Sequence, residues 1–139
     1  MTFATTPTDC LRRRFEAHRC GDYAAIYASY HPQAPFLQHF PDLSSYLTFA
    51  HEQLADIELV AWQSTLERRL DTGQIECIQI IEFSHEGVIS RMVELTLLIE
   101  TSQGWCYHSA QKLDVQNLTV PAVLVDFSHF DEAAHKVRF

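Results

Sequence analysis

The stretch IECIQIIEFSHEGVISRMVELTLLIETSQGWCYHSAQKL, residues 75–113, decides the fold. It contains three apolar-rich runs, residues 75–84, 88–100 and 105–113, separated by His85-Glu86-Gly87 and Ser102-Gln103-Gly104. Runs rich in Ile, Val, Leu, Phe and Tyr between such short connections read as β-strands. A glycine closing each connection supplies the positive φ of a tight turn, and strands joined this way run antiparallel. The middle run alternates most clearly. Val93, Leu95, Leu97 and Ile99 project to one face, and Met92, Glu94, Thr96 and Leu98 to the other. Both sets are largely apolar, so both faces of the sheet need a cover.

Working outward, residues 57–70 form a fourth run of the same kind, closed by Asp71-Thr72-Gly73. Ahead of it the period changes to that of helices. From residue 8, Thr8 or Asp9 can cap a helix whose apolar face carries Leu11, Phe15 and His18, and Gly21-Asp22 breaks and restarts the chain. Tyr23, Ile26, Tyr27 and Tyr30 make a second stripe, ended by Pro32. Pro32, Pro35 and Pro41 mark a connector, after which Asp42 or Ser44 can cap a third helix with Leu43, Tyr46, Leu47, Ala50 and Leu54 inward. The class is α+β, with N-terminal helices packed on a curved antiparallel sheet. One layer of helices covers one face; a tail or a second subunit must cover the other, and a homodimer is the expectation. Residues 115–139 form a C-terminal extension. Its apolar part, residues 120–127, reads as ordered, and Ser128 starts a short helix with Ala133, Ala134 and Val137 inward. The extension either completes the domain, closes as a lid, or reaches a second subunit.

At 139 residues the chain has the size of one domain, residues 1–139, and it shows no repeat or linker. A formal charge of -8 disfavours nucleic acid and anionic membranes, because both demand a Lys/Arg surface. The one basic cluster, Arg12, Arg13 and Arg14, reads as the wet side of the first helix. There is no apolar run of membrane-spanning length and no signal-like start, so a cytoplasmic chain is expected. Cys10, Cys20, Cys77 and Cys106 lie singly, which suits reduced and mostly buried thiols better than a zinc site or disulfide framework.

The helix, helix, helix, hairpinned-sheet order resembles the nuclear transport factor 2-like (SnoaL-like, cystatin-like) superfamily. Leu11-Arg12-Arg13-Arg14-Phe15-Glu16-Ala17-His18-Arg19-Cys20-Gly21-Asp22-Tyr23, followed by Tyr30-His31-Pro32, is similar to the opening of the YchJ-like middle domain. Met92-Val93-Glu94-Leu95 and Gly104-Trp105-Cys106-Tyr107 fall where that family has its His-Glu strand and its Gly-x-Trp-Tyr-Tyr strand. The resemblance runs from residue 10 to residue 114 and implies a cone between helices and sheet. It departs from the family in lacking the Cys-rich SEC-C metal motifs, so no metal role carries over. The superfamily mixes isomerases, dehydratases and cyclases with transport and ligand-binding domains, so the resemblance implies no single activity.

Motifs with dedicated chemistry are missing from the sequence. His51-Glu52 opens like a zinc-protease helix, but Ala55 stands where the second histidine belongs. His18, His31, His39, His85, His108, His129 and His135 show no ligand spacing, and neither a phosphate loop nor a nucleophile elbow occurs. No metal and no cofactor are expected. What remains is a largely apolar pocket with a polar floor, for which the candidates are Tyr27, Tyr30, Trp62, Glu94, Tyr107 and Gln111. A hairpin turn at residues 101–104 would set Glu94 near Gln111, Thr96 near Ser109 and Leu98 near Tyr107. A glutamate in an apolar enclosure holds its proton more tightly than in water, so Glu94 can act as an acid-base group, with Tyr27 or Tyr30 donating to a substrate oxygen. It can equally accept hydrogen bonds from Gln111, Ser109 or a Tyr hydroxyl, or pair with Arg91 or Arg68. Two functions follow: a dimeric domain that binds a small apolar ligand or a protein partner in the cone, or a cofactor-independent lyase or isomerase using Glu94. The first is favoured because no paired acid and base can be assembled from the sequence, and no catalytic residue is assigned.

Overall fold

The computed structural model describes residues 3–131. Helix α1 spans Pro7–Arg19, α2 Tyr23–Ser29 and α3 Leu43–Gln53, with a 3-10 turn at Pro35–His39 before α3. Strands β1 Ile57–Arg69, β2 Ile75–His85, β3 Val88–Thr101 and β4 Gly104–Asp114 follow; two 3-10 turns, Val115–Asn117 and Ala122–Leu124, then lead to a short α4, Phe127–Asp131. The class is α+β, with one antiparallel sheet in the order β1-β2-β3-β4.

Each helix starts where the local chemistry caps it. Thr6, not Thr8 or Asp9, caps α1: its hydroxyl accepts from the Asp9 N–H at 3.0 Å, and Pro7 follows at the first helical position, where no N–H is needed. Asp22 accepts from the Ala25 N–H at 3.1 Å, and Asp42 and Ser45 form a reciprocal capping box on α3. A cap of this kind contributes about 1 kcal/mol. Between β2 and β3, Glu86 (φ 52°) and Gly87 (φ 80°) are both left-handed, as the favoured two-residue hairpin turn requires. Gly104 is constrained twice over. Its φ is 87°, and a Cβ there would lie 2.5 Å from the Ala4 carbonyl oxygen, where the N-terminal segment crosses β4 and Ala4 accepts from the Trp105 N–H.

The two faces of the sheet bury different partners. On the helix side Ile75, Cys77, Leu98, Trp105, Tyr107 and Ala110 form one core with Ala4, Cys10 and Leu11. On the far side Ile78, Ile80, Val93 and Leu95 pack against Ala122, Val125 and Phe130. The second cover is therefore the chain's own residues 115–131, the domain-completing role among those expected for the extension. Phe130 is fully buried, a gain on the order of 2–3 kcal/mol from its apolar area. A polar latch supplements it: Arg68 holds the buried Glu76 at 2.8 Å, reaches Asp131 at 3.1 Å and lies 4.2 Å over the Phe127 ring, while the Gln111 side-chain amide donates to the Phe130 carbonyl at 3.1 Å. Ala133, Ala134 and Val137, expected on the inner side of a last helix, lie outside the described residues.

A third core, Tyr23, Ile26, Tyr46 and Ala50 with their aromatic neighbours, contains no strand residue among those described. Helix α1 packs on the sheet at β1 and β4, α2 bridges α1 and α3, and a cavity lies between the helices and the sheet. Among the described residues no helix is long and apolar enough to cross a membrane.

The thiols test this packing. Cys10, Cys77 and Cys106 are buried and Cys20 is exposed; burial pushes the Cys10 thiol up to about 11 and the Cys77 thiol up to about 12. Because the thiolate is the nucleophile, Ellman's reagent should modify Cys20 alone in the native protein and all four cysteines in denaturant. Rapid modification of Cys10 or Cys77 under native conditions would contradict the helix-side core.

Candidate functional site

The first helix presents Leu11, Arg14, Phe15 and His18 on one face, at spacings of three and four residues. That face looks onto a cavity of about 570 Å³ between the helices and the sheet. Phe36, Phe49 and Leu54 form the helical wall and Leu59, Ile81 and Phe83 part of the sheet wall. The polar groups cluster toward the floor: Glu94 from β3, Gln79 from β2 and Tyr107 from β4.

These groups form one hydrogen-bonded chain. The Trp62 indole N–H donates to Gln79 Oε1 at 2.8 Å, Gln79 Nε2 donates to Glu94 Oε2 at 2.7 Å, and the Tyr107 hydroxyl donates to Glu94 Oε1 at 2.9 Å. Gln79 Nε2 also reaches Thr96 Oγ1 at 3.3 Å. Both oxygens of the buried Glu94 therefore have a donor, as a buried carboxyl group needs. Burial, and then the neighbouring Glu94, pushes the Tyr107 hydroxyl well above its ordinary range, so it stays protonated as the donor at every ordinary pH.

Arg14 stands above this floor. Its guanidinium carbon lies 3.7 Å from the centre of the Tyr107 ring and 4.6 Å from that of Tyr30, and its NH1 donates to Ser29 Oγ at 2.6 Å. Stacking on two aromatic faces stabilises a guanidinium that is half-buried. Farther along the same helix face, His18 Nε2 lies 3.3 Å from the Leu54 carbonyl oxygen. Burial lowers its pKa despite that bond, so the ring is neutral at pH 7.

The sequence candidates separate accordingly. Tyr30, Glu94 and Tyr107 line the cavity. Trp62 does not, but it packs against Phe15 and holds Gln79. Tyr27 packs against Tyr46 in the helical core, with ring centres 5.3 Å apart. Gln111 lies on the opposite face, bonded to the tail. The cause is a β-bulge. The turn at residues 101–104 and the pairing of Leu98 with Tyr107 are as expected, but His108 is an extra residue in β4, so Ser109 faces Leu97, Ala110 faces Thr96 and Lys112 faces Glu94. One inserted residue flips every later side chain to the other face. Arg91 pairs with Glu82, and Arg68 with Glu76 and Asp131, so neither supplies the ion pair considered for Glu94.

Sequence reasoning missed Arg14 and Gln79, whereas His18 lies on the inward face where it was expected. Arg12 and Arg13 do form the wet side, both paired with Asp9, but Arg14 turns in. The signal was present: Arg14 is three residues after Leu11 and four before His18, on the face already read as apolar. Among the described residues no group of three or more His, Cys, Asp and Glu is placed to hold a metal ion.

Glu94→Gln tests the hydrogen-bonded floor. A glutamine cannot accept at both positions, so either Gln79 or Tyr107 loses its acceptor. The variant should lose about 1–3 kcal/mol at pH 7 in denaturant melts. A variant as stable as the parent would show that the two donors do not hold the carboxylate.

No known protein family, curated protein or solved structure matches the chain.

Proposed function

We propose that the chain is a nuclear transport factor 2-like domain, YchJ-like in its opening motif, that binds one small and largely apolar molecule in the cavity between helices and sheet. The observation that carries this reading is the cavity itself: about 570 Å³, with apolar walls, lying between a helical core and a sheet core that are otherwise closely packed. A volume of this size is in the range of pockets that hold metabolite-sized ligands, and a few convergent polar groups at one end give such pockets their orientation and selectivity. The element order, three helices and then a four-stranded meander, agrees with the proposed superfamily. A small ligand fits better than a protein partner because the lining comes from helices and strands facing each other across the space. The homodimer expected from the two apolar faces of β3 is not needed for this reading, since residues 115–131 cover the second face.

Catalysis is the second reading, and one observation favours it: Glu94 and His18 line the same cavity. Against it, both Glu94 oxygens are already engaged by Gln79 and Tyr107, so a substrate proton would have to compete with two short bonds. Binding without chemistry accounts for these groups more simply.

Ile81→Trp tests the binding reading. The side chain of Ile81 points into the cavity, so a larger group there should be accommodated with little loss of stability, whereas overpacking a filled core costs about 1–3 kcal/mol. The wild type should bind the neutral apolar dye Nile red with one-to-one stoichiometry, and the variant should bind it roughly tenfold more weakly or worse. A destabilised variant, together with a wild type that binds no dye, would mean that the space is not a binding cavity.

A further inference from the structure

The cavity wall carries its charges unevenly. Glu94 receives hydrogen bonds at both oxygens from neutral donors. Arg14, by contrast, makes no ion pair with a carboxylate among the described residues; its partners are the Ser29 hydroxyl and the side chains of Tyr30 and Tyr107. A half-buried guanidinium normally has an anionic partner, because desolvating an unpaired charge is expensive. Here its fork borders a cavity whose other walls are mostly apolar. His18, on the same helix face, is neutral at pH 7, and Lys112 is exposed, so neither competes with Arg14 as the buried cation.

Resting on the binding reading above, we propose that the ligand is an amphipathic monocarboxylate whose carboxylate docks on the Arg14 guanidinium while its apolar body lies against Phe49, Leu54, Ile57 and Leu59. A planar carboxylate matches the guanidinium fork, which lies over the Tyr107 ring and has N–H donors beyond those that Ser29 and Tyr30 engage. A phosphate head suits the site less well, since it calls for more donors than one guanidinium supplies within an apolar wall. Glu94 limits the arrangement: its charge keeps the head toward Arg14 and away from the floor, which orients the ligand in the cavity.

The test compares phenylbutanoate, phenylbutanol and phenylbutylamine, which share one apolar body and differ in the head, by calorimetry on the full chain. Wild type should bind the acid roughly tenfold to a hundredfold more tightly than the alcohol, and the preference should disappear in Arg14→Met. If Arg14→Met fails to fold, Arg14→Lys provides the comparison: it keeps the charge and loses the planar fork, so it should retain a reduced preference for the acid. A second readout uses the ring of His18, whose pKa is lowered first by burial and also by the charge of Arg14. Bound acid offsets that charge, so the His18 titration followed by NMR should move up with phenylbutanoate and not with phenylbutanol. Equal binding of acid and alcohol would overturn the carboxylate assignment and leave the cavity reading intact. Preference for the amine would make Glu94 the anchor and overturn it as well, as would an acid preference that survives in Arg14→Met. Binding of none of the three would remove the cavity reading and this proposal together.

Discussion

Residues 75–80 of β2 and 93–98 of β3 are shielded on both faces, and the rest of the structure follows from covering them. Ile78, Ile80, Val93 and Leu95 face one way and Ile75, Cys77, Thr96 and Leu98 the other, nearly all of them shielded from solvent. A sheet of this kind cannot stand with one side wet. The tail, latched by Arg68 and Gln111, closes the far side, and α1 closes one end of the near side. Helices α2 and α3 instead bury their aromatic residues against each other. The near side therefore has a packed end and an open end, and the cavity is the open end.

That geometry explains why a carboxylate is retained in the middle of a central strand. An apolar residue at position 94 would pack the sheet without a desolvation cost, and replacing buried polar networks by apolar groups is often neutral or stabilising. Glu94 is accommodated because Gln79 and Tyr107 are aimed at it from the strands on either side, and Gln79 is in turn held by Trp62 from β1. All four strands contribute to this chain, so it fixes their side chains relative to one another. It also gives Glu94 and Arg14 one shared neighbour: Tyr107 donates its hydroxyl to Glu94 and offers its ring to Arg14, which makes no ion pair with a carboxylate among the described residues.

Much of the fold could be read from the residues because the signals were local. Each hairpin ends in a glycine that must take a positive φ, and four apolar runs between such turns can form only an antiparallel meander. Helix starts were off by about two residues at α1, where Pro7 moves the cap to Thr6. The site was harder to read because it depends on facts that no short window contains. The bulge at His108 carries no composition signal, and it moves Gln111 from the site to the tail. Arg14 sits in a run of three arginines whose composition hides that its spacing to Leu11 and His18 sets it on the inward face. The tail's role depends on long-range packing of Phe130 and Val125 against β2 and β3, and residues so distant in sequence give no periodic pattern to detect.

The central claim is that the near side of the sheet borders an accessible apolar cavity while the far side is packed at Ile78, Val93 and Leu95. Xenon dissolves into apolar cavities and leaves close-packed cores untouched, so it separates the two faces directly. Under a few atmospheres of xenon, methyl NMR should show saturable shifts at Ile26, Ile57, Leu59 and Ile81 and almost none at Ile78, Val93 and Leu95. Shifts of equal size on both faces, or no saturable shift at the first group, would contradict the account.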